Sequence, residues 1–315
     1  MFSPDKFVEE KVNELKKTID GKAIIGVSGG VDSTTTAVIT KKAIGNRLIS
    51  IFVDTGYLRK DEVNDVKKIL KNLSLNPVVV DGKKNFQKKL RGIIDPEKKR
   101  KAIGAVFIEI FENIAKKEKA KYLVQGTIAP DWIESGSYLR DRIKSHHNVA
   151  GLPKKLKLKI VEPLKELYKD EVRKVAEFLN INIAKRQPFP GPGLAVRVIG
   201  EAKPESISIV RKANAIIEEE IENACREGVM KKPWQYFAVL LPVRTTGVHG
   251  DLRAYGSTIA IRAVESVDGM TAEYSKIPYE VLEKISIRVT NEMKDKVNRV
   301  VYDITNKPPS TIEWE

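Results

Sequence analysis

The sequence predicts an α/β protein in which a parallel sheet covered by helices is followed by a smaller α+β domain. Apolar runs of strand length alternate with amphipathic helical segments as far as about residue 179, and this alternation favours a parallel sheet with helices on both faces. A stretch from Gln187 to Gly193 then carries three prolines and two glycines, and it can be neither a helix nor a central strand. We therefore predict domains at residues 1–187 and 188–315.

The individual elements follow from the spacing of apolar residues. The first domain begins with a helix over residues 5–19 and a buried strand that ends near Val27. Its later strands are predicted at residues 48–53, 78–80, 122–124 and 157–161, and its helices at 32–44, 61–73, 95–119 and 169–179. The second domain is predicted to have helices at residues 205–226 and 279–294 and strands at 237–243, 257–264 and 299–304. Ligands of parallel sheets bind at the carboxyl ends of the strands, where the turns after Val27, Val53 and Gln125 fall.

Bulk properties exclude several classes of protein. The chain has 315 residues, and none of its apolar runs approaches the roughly 20 residues that span a bilayer. Its first residues are mixed and charged, with no apolar core of a signal peptide. Cys225 is the single cysteine, so an internal disulfide and a multi-cysteine zinc cluster are excluded and a reducing cytoplasm is favoured. We predict a cytoplasmic protein with no membrane partner.

The formal charge of +14 has three possible explanations. The surplus could bind nucleic acid, hold small polyanions such as nucleotides, or form a lysine-rich solvated surface. We expect the solvated surface to account for most of it, and we predict no nucleic-acid partner.

A glycine turn between the first strand and the second helix carries the chemistry. Gly29 and Gly30 allow main-chain N–H groups to approach a ligand closely, and the helix that opens at Asp32 offers an anion site at its N-terminus. The Gly-Lys-Ser/Thr of an ordinary P-loop is missing here. Asp32 in its place suits a phosphate site that holds a divalent cation. The alternative is an ordinary strand-to-helix turn.

This turn, Ser-Gly-Gly-Val-Asp-Ser from Ser28 to Ser33, resembles the pyrophosphate loop of the ATP pyrophosphatases. Those enzymes cleave ATP between the α- and β-phosphates and adenylate an acceptor. Further motifs lie at residues 99–104, 125–135, 144–153, 162–164, 169–173, 188–195, 250–255 and 307–315. In this order they resemble the synthetase part of the GMP synthases, over nearly the whole chain from about residue 20. The resemblance implies a Rossmann-like sheet of the adenine nucleotide alpha hydrolase (N-type ATP pyrophosphatase) kind, followed by a dimerisation and XMP-binding domain.

The resemblance also implies a two-step reaction with ATP and Mg²⁺. The 2-oxygen of xanthosine monophosphate (XMP) attacks the α-phosphorus of ATP and releases pyrophosphate, and ammonia then displaces AMP to give GMP. Asp32 is carried over as a catalytic and metal-binding residue, with Asp131 a weaker catalytic candidate. The predicted ATP-binding residues are Ser28, Gly29, Gly30, Val31, Asp32, Ser33, Thr34, Val53 and Gly126.

A polar stretch at about residues 131–155 is predicted to be a lid. By the resemblance, Lys144, His146 and His147 would close over the phosphates and act in adenylyl transfer. The alternative for two adjacent histidines is a solvated turn. A zinc role is disfavoured, since no cysteine or helically spaced carboxylate lies nearby.

The predicted XMP-binding residues come from three separate places in the chain. Arg100 lies in a basic run whose neighbours Lys98 and Lys99 we expect on an exposed helix face. The segment from Lys307 to Glu315 contains two prolines and a tryptophan, which predicts a docked rather than a frayed terminus. The resemblance implies XMP contacts from Arg100, Asp251, Lys307, Ile312 and Glu313.

The resemblance does not extend to the glutaminase domain with which many GMP synthases begin. Cys225 lies within a predicted amphipathic helix without a glycine-flanked nucleophile turn, so we interpret it as structural. We expect the chain to use free ammonia or ammonia from a separate glutamine amidotransferase subunit, and to form a homodimer. Two alternatives are a tRNA-modifying enzyme with the same loop, and a nucleotide-binding module without catalysis.

Overall fold

The structure is a computed structural model that describes residues 2–129, 158–181, 187–249, 252–267 and 269–315. The chain divides into two compact units. The first comprises residues 1–56, 61–89 and 100–186, and the second comprises residues 57–60, 90–99 and 187–315. Two short segments of the N-terminal half are therefore part of the second unit. The predicted domain division near residue 187 and the roles assigned to the two domains stay predictions.

A five-stranded parallel sheet forms the centre of the first unit. Its strands are β1 (Ala23–Gly26), β2 (Leu48–Asp54), β3 (Val78–Asp81), β4 (Tyr122–Val124) and β5 (Lys159–Val161). Among the residues that the structure describes, they are accompanied by the helices α1 (Pro4–Thr18), α2 (Val31–Ile44), α3 (Glu62–Asn72), α4 (Lys83–Leu90), α5 (Pro96–Glu118) and α6 (Lys169–Phe178). The predicted α/β fold is confirmed, and α4 is the one of these elements that the apolar spacing did not predict.

The strand order β3-β2-β1-β4-β5 creates a switch point beside the central strand. The chain leaves β1 towards β2 on one side, whereas β4 pairs with β1 on the other side. The connections from β1 to β2 and from β4 to β5 therefore run in opposite directions along the sheet, and the strand ends at such a point are the usual ligand site of an open parallel sheet.

Burial explains why β1 and α2 occupy the middle of the unit. Ile24 and Ile25 point to opposite faces of the sheet, and both are at most 1% exposed. In α2 every residue from Thr34 to Thr40 is buried. A strand and helix buried on all sides provide a rigid support for the turn between them.

The second unit is α+β, as predicted. Its helices are α7 (Pro204–Arg226) and α8 (Tyr279–Glu292), and its strands are β6 (Gln235–His249), β7 (Leu252–Glu265), β8 (Glu273–Tyr274) and β9 (Val297–Asp303). β7 pairs antiparallel with β6 and β8 and parallel with β9. β6 and β7 form a hairpin longer than the predicted strands, and the two-residue β8 was not predicted.

Cys225 lies in the last turn of α7 and is half-buried. Burial raises the pKa of its thiol, whereas a nucleophilic cysteine needs a lowered one. The structure thus supports the structural interpretation of this residue.

In the part of the chain that the structure describes, no helix is long and apolar enough to cross a bilayer.

Candidate active site

The glycine turn leaves the carboxyl end of β1 and opens α2. Gly29 has φ +78°, a left-handed conformation that glycine adopts without strain. The hydroxyl of Ser28 accepts a hydrogen bond from the Gly30 N–H at 3.2 Å, and that of Ser33 accepts one from the Ser28 N–H at 3.2 Å. These two hydroxyl oxygens lie 3.1 Å apart. The side chains thus shape a turn whose backbone donors precede a helix N-terminus, the arrangement that binds phosphate.

Gly126 brings the turn after β4 against this loop. A Cβ on Gly126 would lie 3.1 Å from both the Cα and the N of Ser33, and 3.2 Å from the carbonyl carbon of Asp32. These are backbone atoms of the first turn of α2, and contacts this short are tighter than almost all Cβ contacts in packed proteins. Glycine therefore allows the turns after β1 and β4 to touch at the switch point, although sequence alone placed Gly126 only near the nucleotide.

Asp32 and Lys169 form an ion pair beside the loop. The Lys169 ammonium lies 2.5 Å from Asp32 Oδ2, and the two side chains are 37% and 29% exposed. Lys169 is the first residue of α6, where the Tyr168 N–H donates to Glu171 Oε2 at 2.9 Å in a capping box. The cap fixes the start of α6 and therefore the backbone position from which the Lys169 side chain extends. Sequence analysis quoted the motif that Lys169 begins but gave the residue no role.

The other oxygen of Asp32 has a different environment. Oδ1 is buried, and within the described residues it accepts no hydrogen bond. The Thr34 hydroxyl is likewise buried and unpartnered within the same ranges. Burying such polar atoms without partners is costly, so these two atoms point to a ligand.

Magnesium fits this donor set. A carboxylate oxygen is a ligand that Mg²⁺ prefers, and Mg²⁺ commonly takes one or two carboxylates together with substrate phosphates and water. The described residues contain no cluster of three or more metal-ligating side chains. Within the described ranges, Asp32 would hold the ion together with phosphate oxygens and water.

Further polar groups lie at the ends of the other strands. Val53 is buried in β2, and the Asp54 carboxylate that follows accepts from the Gly56 N–H and pairs with Lys83 Nζ, each at 3.0 Å. After β4, the Thr127 hydroxyl donates to Glu162 Oε1, at the end of β5, at 2.6 Å. Charged and hydroxyl side chains thus line the edge of the sheet at which the loop lies.

The predicted docking of the C-terminal segment is confirmed within the second unit. Arg262, on β7, is fully buried. Its guanidinium donates to the carbonyl of Thr311 and the hydroxyl of Ser310, each at 3.1 Å, and to the carbonyl of Ile312 at 3.4 Å. It also pairs with Asp303 at 3.3 Å. One arginine therefore holds three consecutive residues of the segment.

Glu313 is held by a second buried arginine. Arg197, 1% exposed, donates from Nη2 to Glu313 Oε1 at 2.8 Å and from Nε to Oε2 at 3.1 Å. Its guanidinium lies 4.0 Å from the centre of the Phe237 ring, and Gln235 donates a further hydrogen bond to Glu313 at 3.0 Å. Such bidentate, stacked pairs are geometrically specific. The carboxylate of this predicted XMP contact is thus engaged with the protein.

The expectation for Lys99 was wrong. Lys98 is exposed as expected, but Lys99 is 0% exposed. Its ammonium donates to Glu315 Oε2 and to the carbonyls of Ala195 and Val198. Burial lowers the pKa of Lys99, and the pairing with Glu315 opposes that shift. Nothing in the sequence around Lys99 indicates that it pairs with a carboxylate more than two hundred residues away.

The remaining predicted residues lie in different places. Arg100 is half-buried in α5. The Lys307 ammonium donates to the carbonyl of Gly269 at 2.7 Å, and Ile312 packs on the apolar cluster around Phe237. Five predicted residues lie outside the described residues, as does the predicted lid: Asp131, Lys144, His146, His147 and Asp251.

Comparison with known proteins covers both parts of the chain. A sequence model of the NAD synthase family matches residues 3–127, and one of the GMP synthase C-terminal domain matches residues 219–314. The first match agrees with the Rossmann-like fold class.

Similar proteins match over the full length. The chain is 59% identical to the B-subunit of GMP synthase [glutamine-hydrolyzing] from Pyrococcus horikoshii, over 98% of this chain and 99% of that protein. The proteins of the same name from Methanopyrus kandleri and Methanocaldococcus jannaschii are 57% and 54% identical, each over 100% of both chains. Identity of this extent, across the phosphate loop, the interrupted second unit and the docked terminus, shows that the chain belongs to the family of GMP synthase [glutamine-hydrolyzing] B-subunits.

Proposed function

We propose that this chain is the ligase that makes GMP from XMP, ATP and ammonia through an adenylyl-XMP intermediate, with release of AMP and pyrophosphate. The observation that carries the proposal is the glycine loop at the switch point, with the Asp32–Lys169 pair beside it. The family assignment favours this function over tRNA modification, since the matching proteins are named as GMP synthase subunits.

Positioning of ATP supplies most of the proposed catalysis. Those backbone N–H groups of the loop from Ser28 to Ser33 that do not already donate to the serine hydroxyls would bind the pyrophosphate that leaves, at the positive end of α2. Val53 and Gly126, at the ends of β2 and β4, would contact the adenosine part. Because the loop is already shaped by its own serine hydroxyls, little reorganisation is needed when negative charge develops.

Lys169 and Asp32 have different electrostatic roles in this proposal. Oδ2 of Asp32 keeps the Lys169 ammonium at the loop, where that ammonium can neutralise charge on the leaving pyrophosphate. Oδ1 of Asp32 is the oxygen left for Mg²⁺. The ion, when bound, neutralises charge on the phosphates. We also propose, from the family resemblance alone, that Asp131, Lys144, His146 and His147 act at the same phosphates.

Acceptor binding is assigned to the second half of the chain and to α5. We propose that Arg100, Asp251 and Lys307 bind XMP, with Ile312 and Glu313 close to it. Support comes from the docking of the segment 307–315 by Arg262 and Arg197, because an ordered terminus can present a specific surface to a ligand.

Ammonia would come from outside the chain. The matching proteins are each named as one subunit of a glutamine-hydrolysing enzyme, and the thiol of Cys225 has a raised pKa. We therefore propose a separate glutamine amidotransferase subunit as a partner.

We also propose that the chain forms a homodimer through the hairpin of β6 and β7. Val248, Leu252 and Tyr255 are 69%, 76% and 63% exposed on it, and Val243 and Val301 add exposed apolar surface on β6 and β9. Strand alternation puts Val248 and Tyr255 on one face of the hairpin and Leu252 on the other, and exposed large apolar side chains of this kind support an interface. Sedimentation of the wild type and of Leu252→Lys tests the dimer; a wild type that sediments as a monomer contradicts it.

One assay tests the reaction. The pure chain, given XMP, ATP, Mg²⁺ and ammonium, should release AMP and pyrophosphate, and omission of XMP should stop this release. Glutamine in place of ammonium should give no GMP, and glutamine-dependent GMP formation would exclude the separate subunit. Tight, strongly salt-dependent binding of tRNA without turnover of XMP would instead favour the tRNA-modifying alternative. ATP binding without pyrophosphate release would favour the non-catalytic module.

A further inference from the structure

The ion pair of Lys99 and Glu315 is the most completely buried one among the described residues. The two side chains are 0% and 4% exposed. An ammonium has three donors, and those of Lys99 meet Glu315 Oε2, the Val198 carbonyl at 2.8 Å and the Ala195 carbonyl at 3.3 Å. The other oxygen of Glu315 accepts from the Gly200 N–H at 3.2 Å.

Stability alone does not explain such a pair. Removing two charges from water is costly, and an apolar pair of similar volume often stabilises a protein as well or better. What such a pair can provide instead is a defined register, because each carboxylate oxygen must meet its own donors. Here that register is the position of the segment 307–315 on the second unit. Glu313, two residues before Glu315, is fixed in the same way by its hydrogen bonds with Arg197.

The geometry of the segment connects this register to the proposed acceptor site. Between the two glutamates, Trp314 donates from its indole N–H to Asp303 at 3.0 Å. Ile312 packs on the Phe237 cluster just before them. Lys99 lies near the start of α5, so anchoring its side chain also fixes the beginning of that helix.

We propose that Lys99 and Glu315 are positioning residues for the acceptor nucleotide: their ion pair sets the register of the segment 307–315 and of the start of α5, and neither touches XMP. This inference rests on the proposed function, because it takes XMP as the acceptor. It assigns a role to two residues for which the sequence predicted none.

The test compares three variants with a matched control. Lys99→Met and Glu315→Gln each remove one charge, and the double variant removes both. Lys98→Met, next to Lys99 but exposed, is the control. For each protein we would measure KM for XMP, KM for ATP, the thermal midpoint, and hydrogen exchange of the backbone amides of residues 307–315.

Each single variant should raise KM for XMP roughly tenfold or more and leave KM for ATP within about twofold, because only acceptor binding is affected. Exchange at residues 307–315 should become faster. The double variant should recover part of the thermal midpoint, since no unpaired charge stays buried although the Ala195 and Val198 carbonyls still lack the Lys99 donor, yet keep the raised KM for XMP. A purely structural pair would restore both together.

Two results would overturn the inference. One is a folded double variant with wild-type KM for XMP; the other is unchanged exchange at residues 307–315 in every variant. If the single variants do not fold, the double variant decides. If the wild type shows no XMP-dependent turnover, the proposed function fails instead, and the exchange measurement still reports whether the pair holds the segment.

Discussion

Gly126→Ala tests whether the closeness of two turns shapes the phosphate loop. The added methyl carbon would lie 3.1 Å from the Cα and the N of Ser33 and 3.2 Å from the carbonyl carbon of Asp32. Ordinary contact between such atoms is about 3.5–4.0 Å, so backbone must move by several tenths of an ångström. Overpacking of this kind costs about 1–3 kcal/mol, and displaced catalytic groups can lower kcat by roughly 10²-fold.

Steady-state pyrophosphate release with XMP and ammonium measures the effect. We expect Gly126→Ala to lower kcat/KM for ATP by roughly 10–100-fold, with the fold retained by circular dichroism. Gly104→Ala is the matched control: Gly104 lies in α5, and a Cβ there meets no atom within 4 Å. It should be neutral or stabilise by up to about 1 kcal/mol. Gly126→Ala with wild-type kinetics for ATP would refute the argument that this contact shapes the loop.

Three further predictions follow from other contacts. Asp32→Asn and Lys169→Met should each lower kcat for pyrophosphate release by roughly 10²-fold or more. Lys174→Met is the control and should not lower it, because Lys174 lies on the same helix as Lys169 but forms an exposed pair with Asp170. Near-normal turnover of Asp32→Asn would remove Asp32 from its proposed roles. Gly193→Ala should lower the free energy of unfolding by about 3 kcal/mol or more, because φ is +65° and the Cβ would lie 2.4 Å from the Tyr57 carbonyl oxygen. Gly191→Ala, where a Cβ meets nothing within 4 Å, should hardly change the thermal midpoint. Equal thermal midpoints for the two variants would contradict the prediction. Burial raises the pKa of Tyr57 to about 12 from 10.0, so its phenol keeps its proton longer in the folded state; the stability that this provides is present below pH 10 and is lost as pH rises towards 12, by at most about 3 kcal/mol. Tyr57→Phe should flatten the fall of unfolding free energy over that range, and an unchanged slope would show that Tyr57 does not contribute.

Most of the fold could be predicted because its elements have the apolar period of a buried strand or an amphipathic helix. The exceptions have too few buried apolar residues to show that period. Helix α4 (Lys83–Leu90) presents only Phe86 and Leu90 as apolar residues among lysines and amides. The far ends of β6 and β7 were not predicted because most of their side chains are exposed and show no apolar pattern, whereas the backbone pairing continues the hairpin to His249 and Leu252.

Sequence identified the loop of the candidate site because its residues stand in one continuous motif, and it placed Val53 and Gly126 there only as the ends of neighbouring strands. The turn from Ser28 to Ser33 is such a motif, and it was found together with its helix. Lys169 reaches Asp32 from 137 positions away, and Lys99 reaches Glu315 from 216 positions away. Pairings of this kind depend on the tertiary fold, which explains why the first was missed and why Lys99 was placed wrongly on the surface.

Helix α2 has hardly any surface of its own. Its residues from Thr34 to Thr40 are all buried, and the hydroxyls of Thr36 and Thr40 donate to carbonyls four residues earlier, each at 2.8 Å. A helix enclosed in this way opens only when its surroundings open, so its amide protons should exchange as slowly as those of the central strands. The nucleotide therefore meets a platform that keeps its shape through a turnover, and the movements of the catalytic cycle fall to the ligands and to other segments.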